Sequence, residues 1–134
     1  MKQSTKEWLN AANDDLRTIE KLLPDLSLTN VIAFHCQQAI EKVLKALIDE
    51  LSMGLARTHN LQSLLSKTDE AFNLTYDETI IAEIDRLYID SRYPGDFGLM
   101  PFGKPTISEA KAYYQQAKEL KEEVEKILLS GSKQ

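Results

Sequence analysis

A chain of 134 residues, 43% apolar and 28% charged, lies near the commonest domain size and can bury a core without a disulfide or metal staple. Its single cysteine, Cys36, has no internal partner, which suits a reducing compartment. With 16 basic and 21 acidic residues the net charge is −5, so the surface as a whole does not attract phosphate, and contact with nucleic acid requires a local basic patch.

The N-terminal run MKQSTKEW lacks the apolar stretch of a secretory signal, and no segment approaches the roughly 18 apolar residues of a membrane span. The apolar runs are short pieces such as Val31-Ile32-Ala33-Phe34. A cytoplasmic protein with no membrane segment is the expectation.

Apolar residues recur with a period of about 3.6 along most of the chain, and alternating runs rich in Val, Ile and Thr are missing. This predicts an all-α fold in one domain over residues 1–134. The first helix runs from about Ser4 to Leu23, with Trp8, Ala12, Leu16, Ile19 and Leu23 on one stripe, and Pro24 ends it. The second spans about Thr29 to Leu51, with Thr29 or Asn30 placed to cap it and Gly54 just beyond its end. A short helix covers about Asn60 to Ser66. A further long helix follows Asp77, a capping residue, and carries Ile80, Ile81, Ile84, Leu87 and Tyr88. The last opens on Thr106-Ile107-Ser108-Glu109, the spacing of a capping box, and continues to about Leu129, leaving residues 130–134 as a frayed tail. Four long helices plus a short fifth imply a mostly antiparallel bundle. The segment from Pro94 to Pro105 holds three of the five glycines and three of the four prolines, which marks a defined irregular loop between helices.

On a helical wheel, the apolar residues of the second helix, from Ile32 to Leu51, span an arc of about 200°, wider than one neighbour covers. That helix is therefore expected at the centre. Its other arc holds Gln38, Glu41, Lys42, Lys45 and Asp49, together with Val31 and Phe34 at the N-terminal end. These two apolar residues are covered either by the Pro94–Pro105 loop or by a second subunit. The second reading is preferred, and an isologous dimer on Val31 and Phe34 brings His35 and Gln38 to its two-fold axis.

Asp15 falls inside the apolar stripe of the first helix, where a carboxylate requires a partner. Arg92 and Lys42 are the first candidates for this buried ion pair. His35 and Cys36 are adjacent on a helix and point about 100° apart, so they do not form a thiolate–imidazole pair; Cys36 reads as a small buried hydrophobe. Two histidines in unrelated segments and one thiol match no metal-ligand spacing, and neither a metal nor a cofactor is expected. His59, at the entry to the short helix, suits a capping or loop hydrogen bond, with an active-site role as the alternative. The only Gly-Lys step, Gly103-Lys104, lacks the upstream glycine of a phosphate loop.

The run from Phe34-His35-Cys36-Gln37-Gln38-Ala39 through Glu41-Lys42-Val43-Leu44-Lys45-Ala46 closely resembles the second-helix signature of HEPN domains, the higher eukaryotes and prokaryotes nucleotide-binding family. Other pieces agree in order. Trp8 through Asp15-Leu16 resembles the family's first helix, Thr58-His59-Asn60-Leu61 its Thr-His-(polar)-Leu step, and Ser91-Arg92-Tyr93-Pro94 its Arg-Tyr-Pro turn. The resemblance implies a dimeric helical bundle, often encoded beside a minimal nucleotidyltransferase as a toxin–antitoxin-like pair. Many relatives are metal-independent ribonucleases that use an arginine followed, after four to six intervening residues, by a histidine, with the pairs from two subunits facing one cleft. Here Phe97, Gly98 and Leu99 stand in that register after Arg92, and Gln62, Ser63 and Leu64 after Arg57.

These features together read as a non-catalytic homodimer that binds nucleotide or RNA, or a nucleotidyltransferase partner, near Arg92 and Tyr93, with Asp96, Lys42 and Lys45 alongside. An arginine fork grips phosphate and a tyrosine ring stacks on a base. The alternative is a ribonuclease toxin that uses Arg92 with His35 or His59. For the dimer, Phe34→Asp is expected to give a helical monomer in light scattering; a helical dimer that survives the change contradicts the interface.

Overall fold

The computed structural model describes residues 1–25, 27–54, 56–92 and 103–131, and it is all-helical. The helices are α1 (Gln3–Leu22), α2 (Thr29–Glu50), α3 (Leu61–Thr68), α4 (Glu78–Arg92) and α5 (Ile107–Gly131). The expected bundle of four long helices and one short one is what forms. Every other helix packs on α2, whereas α1 and α4 do not meet. The central position inferred from the wide apolar arc follows from burial: Ile40, Val43, Leu44 and Leu47 are fully enclosed, and so are Cys36, Ala39 and Ala46, whose small side chains let neighbouring helices approach closely.

Local chemistry explains most of the boundaries. Asn60 caps α3 by accepting the Ser63 N–H at 2.8 Å. Asp77 accepts the N–H groups of Thr79 and Ile80 and so starts α4. Thr106 and Glu109 exchange backbone-to-side-chain bonds of 2.8 and 3.1 Å, completing the capping box of α5. Three expectations need correction. α2 is preceded by Leu28 and has no side-chain cap, because Thr29 and Asn30 already lie inside the helix, where Thr29 is buried. α3 continues to Thr68, whose buried hydroxyl donates to the Leu65 carbonyl. α5 runs through Ser130 to Gly131, so the tail expected from residue 130 is helical at its start. Leu26, Leu55, residues 93–102 and residues 132–134 lie outside the described residues.

The start of α1 and the end of α2 complete each other. α1 has neither an acidic first turn nor a capping side chain, and α2 ends on Asp49 and Glu50, where negative charge opposes the helix dipole. Antiparallel packing brings the two together. Ser4 and Thr5 donate to Asp49 at 2.5 and 2.9 Å, the Lys2 N–H donates to Glu50 at 2.8 Å, and Lys2 Nζ donates to the Asp49 carbonyl at 2.7 Å. These bonds hold both carboxyls below their ordinary range, the largest contributions coming from the Ser4 hydroxyl at Asp49 and the Lys2 N–H at Glu50.

Leu44 faces the centre of the bundle and Ile89 is half exposed. Leu44→Ala is expected to lower unfolding free energy by about 2–5 kcal/mol in denaturant titrations, and Ile89→Ala by less than about 1 kcal/mol. Equal effects would contradict the central placement of α2.

Candidate functional site

Because α1 and α4 do not meet, the described residues leave one face of α2 open between them, and Phe34, His35, Gln38, Lys42 and Lys45 are only half-buried along it. Two carboxylates lie beneath this strip. Asp15 arrives from α1 and takes its partners from α2, accepting Lys42 Nζ at 2.6 Å and His35 Nδ1 at 2.9 Å. Of the two partners considered from sequence, Lys42 is present and Arg92 is not. The lack of contact between α1 and α4 keeps Arg92 on the other side of the strip.

The second carboxylate is Glu41, which the helical wheel placed on the polar arc and which is in fact buried. It accepts Gln37 Nε2 at 3.0 Å, Lys45 Nζ at 2.9 Å and His59 Nδ1 at 3.0 Å. Gln37, fully enclosed, also donates to the His59 carbonyl at 2.8 Å and accepts Gln38 Nε2 at 2.6 Å. The turn that carries His59 is thus held to α2 through both its backbone and its ring. From the other side, Asp85 of α4 accepts the Leu61 and Gln62 N–H groups at the start of α3. The loop hydrogen bond expected of His59 is made, but the capping belongs to Asn60.

Four rings continue the strip toward α4. Phe34 meets His35 edge-on at 5.4 Å between centroids and stacks on Tyr88 at 5.8 Å, and Tyr88 lies 6.3 Å from the His59 ring. The Arg92 guanidinium sits 5.3 Å from the Tyr88 centroid. His35, His59, Tyr88 and Arg92 therefore share one continuous surface. Lys42 and Lys45, named from sequence beside Arg92 as binding residues, spend part of their charge on Asp15 and Glu41, and Lys45 Nζ also lies 5.7 Å from the Trp8 ring. Val31 is half-buried one turn before His35. Tyr93 and Asp96 lie outside the described residues.

The electrostatics divide the buried groups into two kinds. Burial pushes the Glu41 carboxyl up, but the bonds from Gln37, Lys45 and His59 and the Lys45 charge outweigh it, so the net value is lowered and Glu41 is ionised. For Asp85 burial prevails over the two N–H bonds, the Glu41 charge adds to it, and the carboxyl is raised. Burial, with the Asp15 charge, raises the Cys36 thiol well beyond reactivity. Among the described residues no group of three His, Cys, Asp or Glu side chains is placed to hold a metal ion. No described helix is long and apolar enough to cross a membrane. A groove of about 470 Å³ between α1 and α5, bounded by Arg17, Tyr114 and Lys118, includes none of the candidate binding, catalytic or interface residues named from sequence.

The model of the HEPN domain matches residues 5–127. The chain belongs to the HEPN family. A solved structure, that of TT1696 from Thermus thermophilus, superposes with a TM-score of 0.69 at 28% identity, covering 93% of this chain and 98% of that one. No curated protein matches the sequence. In this HEPN chain the second-helix signature acquires a physical content: its first glutamine, its glutamate and its second lysine are Gln37, Glu41 and Lys45, the groups that fix His59. The residues that sequence reasoning did not place in the site are Gln37, Glu41, Asp85 and Tyr88. The Gln37–Glu41–Lys45 spacing of four was the available signal for the first, whereas Asp85 and Tyr88 take their partners from remote segments.

The lowered Glu41 value fixes the sign of a pH effect. A carboxyl held below its unfolded value contributes stability above that value, about 4.3 for glutamate, and loses it as pH falls through the folded value. Glu41→Gln is expected to cost about 1–3 kcal/mol at neutral pH, and the gap in melting temperature from the parent chain should close in acid. A gap that stays constant down to about pH 3 would contradict the assignment.

Proposed function

We propose that this HEPN chain works as a homodimer that binds a nucleotide or RNA along the strip between α1 and α4. The observation that carries this reading is the pairing of Arg92 with Tyr88. The guanidinium is exposed, has no acidic partner among the described residues and lies over an aromatic ring, with the His59 imidazole on the same ring's border. A forked cation beside a ring supplies the two contacts a nucleotide offers, charge to the phosphate and stacking to the base. Tyr93 and Asp96, which follow Arg92 in the sequence, belong to the same proposal as candidate binding residues. Lys42 and Lys45 add positive charge at the far end of the strip, where their paired carboxylates lie underneath.

An overall charge of −5 is compatible with such a site because the binding is local: Asp15 and Glu41 are covered, and the cations above them face the ligand. In the dimer, Val31, Phe34, His35 and Gln38 form the isologous contact and bring two strips together. The same reading carries, on the family resemblance, a minimal nucleotidyltransferase as the alternative partner, in a two-component, toxin–antitoxin-like system.

The test is ligand-dependent stabilisation. Nucleotides and short RNAs are titrated against the purified chain, and a bound ligand at 100 times its Kd is expected to add about 2.7 kcal/mol to unfolding free energy. Arg92→Ala should abolish that rise while leaving the ligand-free melting temperature nearly unchanged. A rise that persists in the variant would place the site elsewhere, and the absence of a rise with any nucleotide or RNA would overturn the binding reading.

A further inference from the structure

α1 and α5 both pack on α2 and leave a groove of about 470 Å³ between them, a volume that suits a small organic ligand. Two bonds set its register. Lys104 donates to the Ser27 carbonyl at 2.9 Å, which puts the start of α5 beside the turn between α1 and α2, so α5 runs antiparallel to α1. The Tyr114 hydroxyl donates to Glu20 at 2.7 Å and bridges the two helices at one end of the groove. One helical turn from that bridge, counted in opposite directions along the two helices, Arg17 and Lys118 line opposite walls at the same level.

Both residues are exposed, and among the described residues neither side chain makes a hydrogen bond or an ion pair. Acids at suitable spacing are at hand. Asp14 lies three residues before Arg17 and Glu122 four residues after Lys118, and the Lys121–Glu125 pair of that same spacing does close, at 3.1 Å. Glu20, on the other side of Arg17 along α1, is engaged by Tyr114. Two cations on facing walls with their charge unspent repel each other, and an anion between them removes that repulsion and gains both as donors.

The rest of the lining selects the kind of anion. Leu16, buried, and the half-buried Tyr114 ring give the groove an apolar surface beside the cations. A further turn along, Asp14 and Glu122 stand on the two walls, so a second negative group on the ligand meets carboxylates. The arrangement therefore favours a single anionic head over the repeating phosphates of a nucleic acid.

We propose that this groove binds a small organic anion with one carboxylate or phosphate-ester head on an apolar body. The head lies between Arg17 and Lys118, where the arginine fork matches two of its oxygens, and the body rests on Leu16 and Tyr114. The groove shares no residue with the strip, and the assignment is independent of the nucleotide or RNA reading.

The experiment titrates the full chain, at constant ionic strength, with benzoate and phenyl phosphate, which share a ring and differ in the head, and with inorganic phosphate, which has no body. Calorimetry gives the affinities, and the Leu16 methyl and Tyr114 ring resonances give the location. At least one aryl anion is expected to bind with a Kd of about 1 mM or tighter, to shift both sets of resonances, and to exceed inorganic phosphate by about fivefold or more. The tighter of the two aryl anions identifies the head. Arg17→Gln and Lys118→Gln should each weaken it by about tenfold with helical content unchanged, whereas Arg92→Ala on the strip should leave it within about twofold. No binding of either aryl anion at about 20 mM overturns the assignment. So does an affinity that survives both cation variants, or one that Arg92→Ala abolishes. Inorganic phosphate binding as tightly as the aryl anions removes the apolar body from the site and overturns the ligand class.

Discussion

A carboxylate inside a helical bundle has to be answered by donors, and in this chain the answer to Glu41 organises the surface above it. Ionised and 8% exposed at its side chain, Glu41 collects Gln37 and Lys45 from its own helix and His59 from the turn before α3. The first two lie one helical turn to either side and need only the geometry of α2. The third requires the chain to come back after the end of α2, and the Gln37 bond to the His59 carbonyl and the Asp85 bonds to the start of α3 make it do so. Satisfying one buried charge thereby selects the path of a loop and the tautomer of an imidazole.

The helix order gives that arrangement its opening. α2 is contacted by four helices, but α1 and α4 stay apart, and the arc of α2 that the described residues leave open becomes the floor of a strip walled by both. Asp15 and Lys42 close one side and the ring series from Phe34 to Arg92 the other. The same fold leaves buried the groups that would be reactive in the open, Cys36 first among them.

How much of this was legible depended on how local each signal is. Helix positions followed from periodicity, and Asn60, Asp77 and Thr106 could be read as starts because a cap and its N–H partners lie within three residues. Thr29 misled because its hydroxyl type suits a cap, while packing carried the helix one residue further back. Asp15 was legible as a charge in need of a partner, and its partner Lys42 was among those named, yet Arg92 could be set aside only once α1 and α4 were seen not to touch. Glu41 was the larger miss. Its angle on the wheel agrees with Lys42 and Lys45, and what buries it is His59 and its turn, arriving from a segment whose direction no spacing within α2 encodes. The resemblance to HEPN domains located the right helix and the right Thr-His-Asn-Leu step without saying that the two touch.

The placement of Trp8 has a practical side. It is the only tryptophan in the chain, and the ammonium of Lys45 lies 5.7 Å from its ring while donating to Glu41. An indole so close to a positive charge changes its emission when that charge shifts. Anything that disturbs Glu41, whether a ligand drawing on Lys45 or a proton arriving at the carboxylate, reaches Trp8 through a single side chain. The protein thus carries a built-in optical reporter on the far edge of its strip, and its intrinsic fluorescence can follow occupancy in solution without a label.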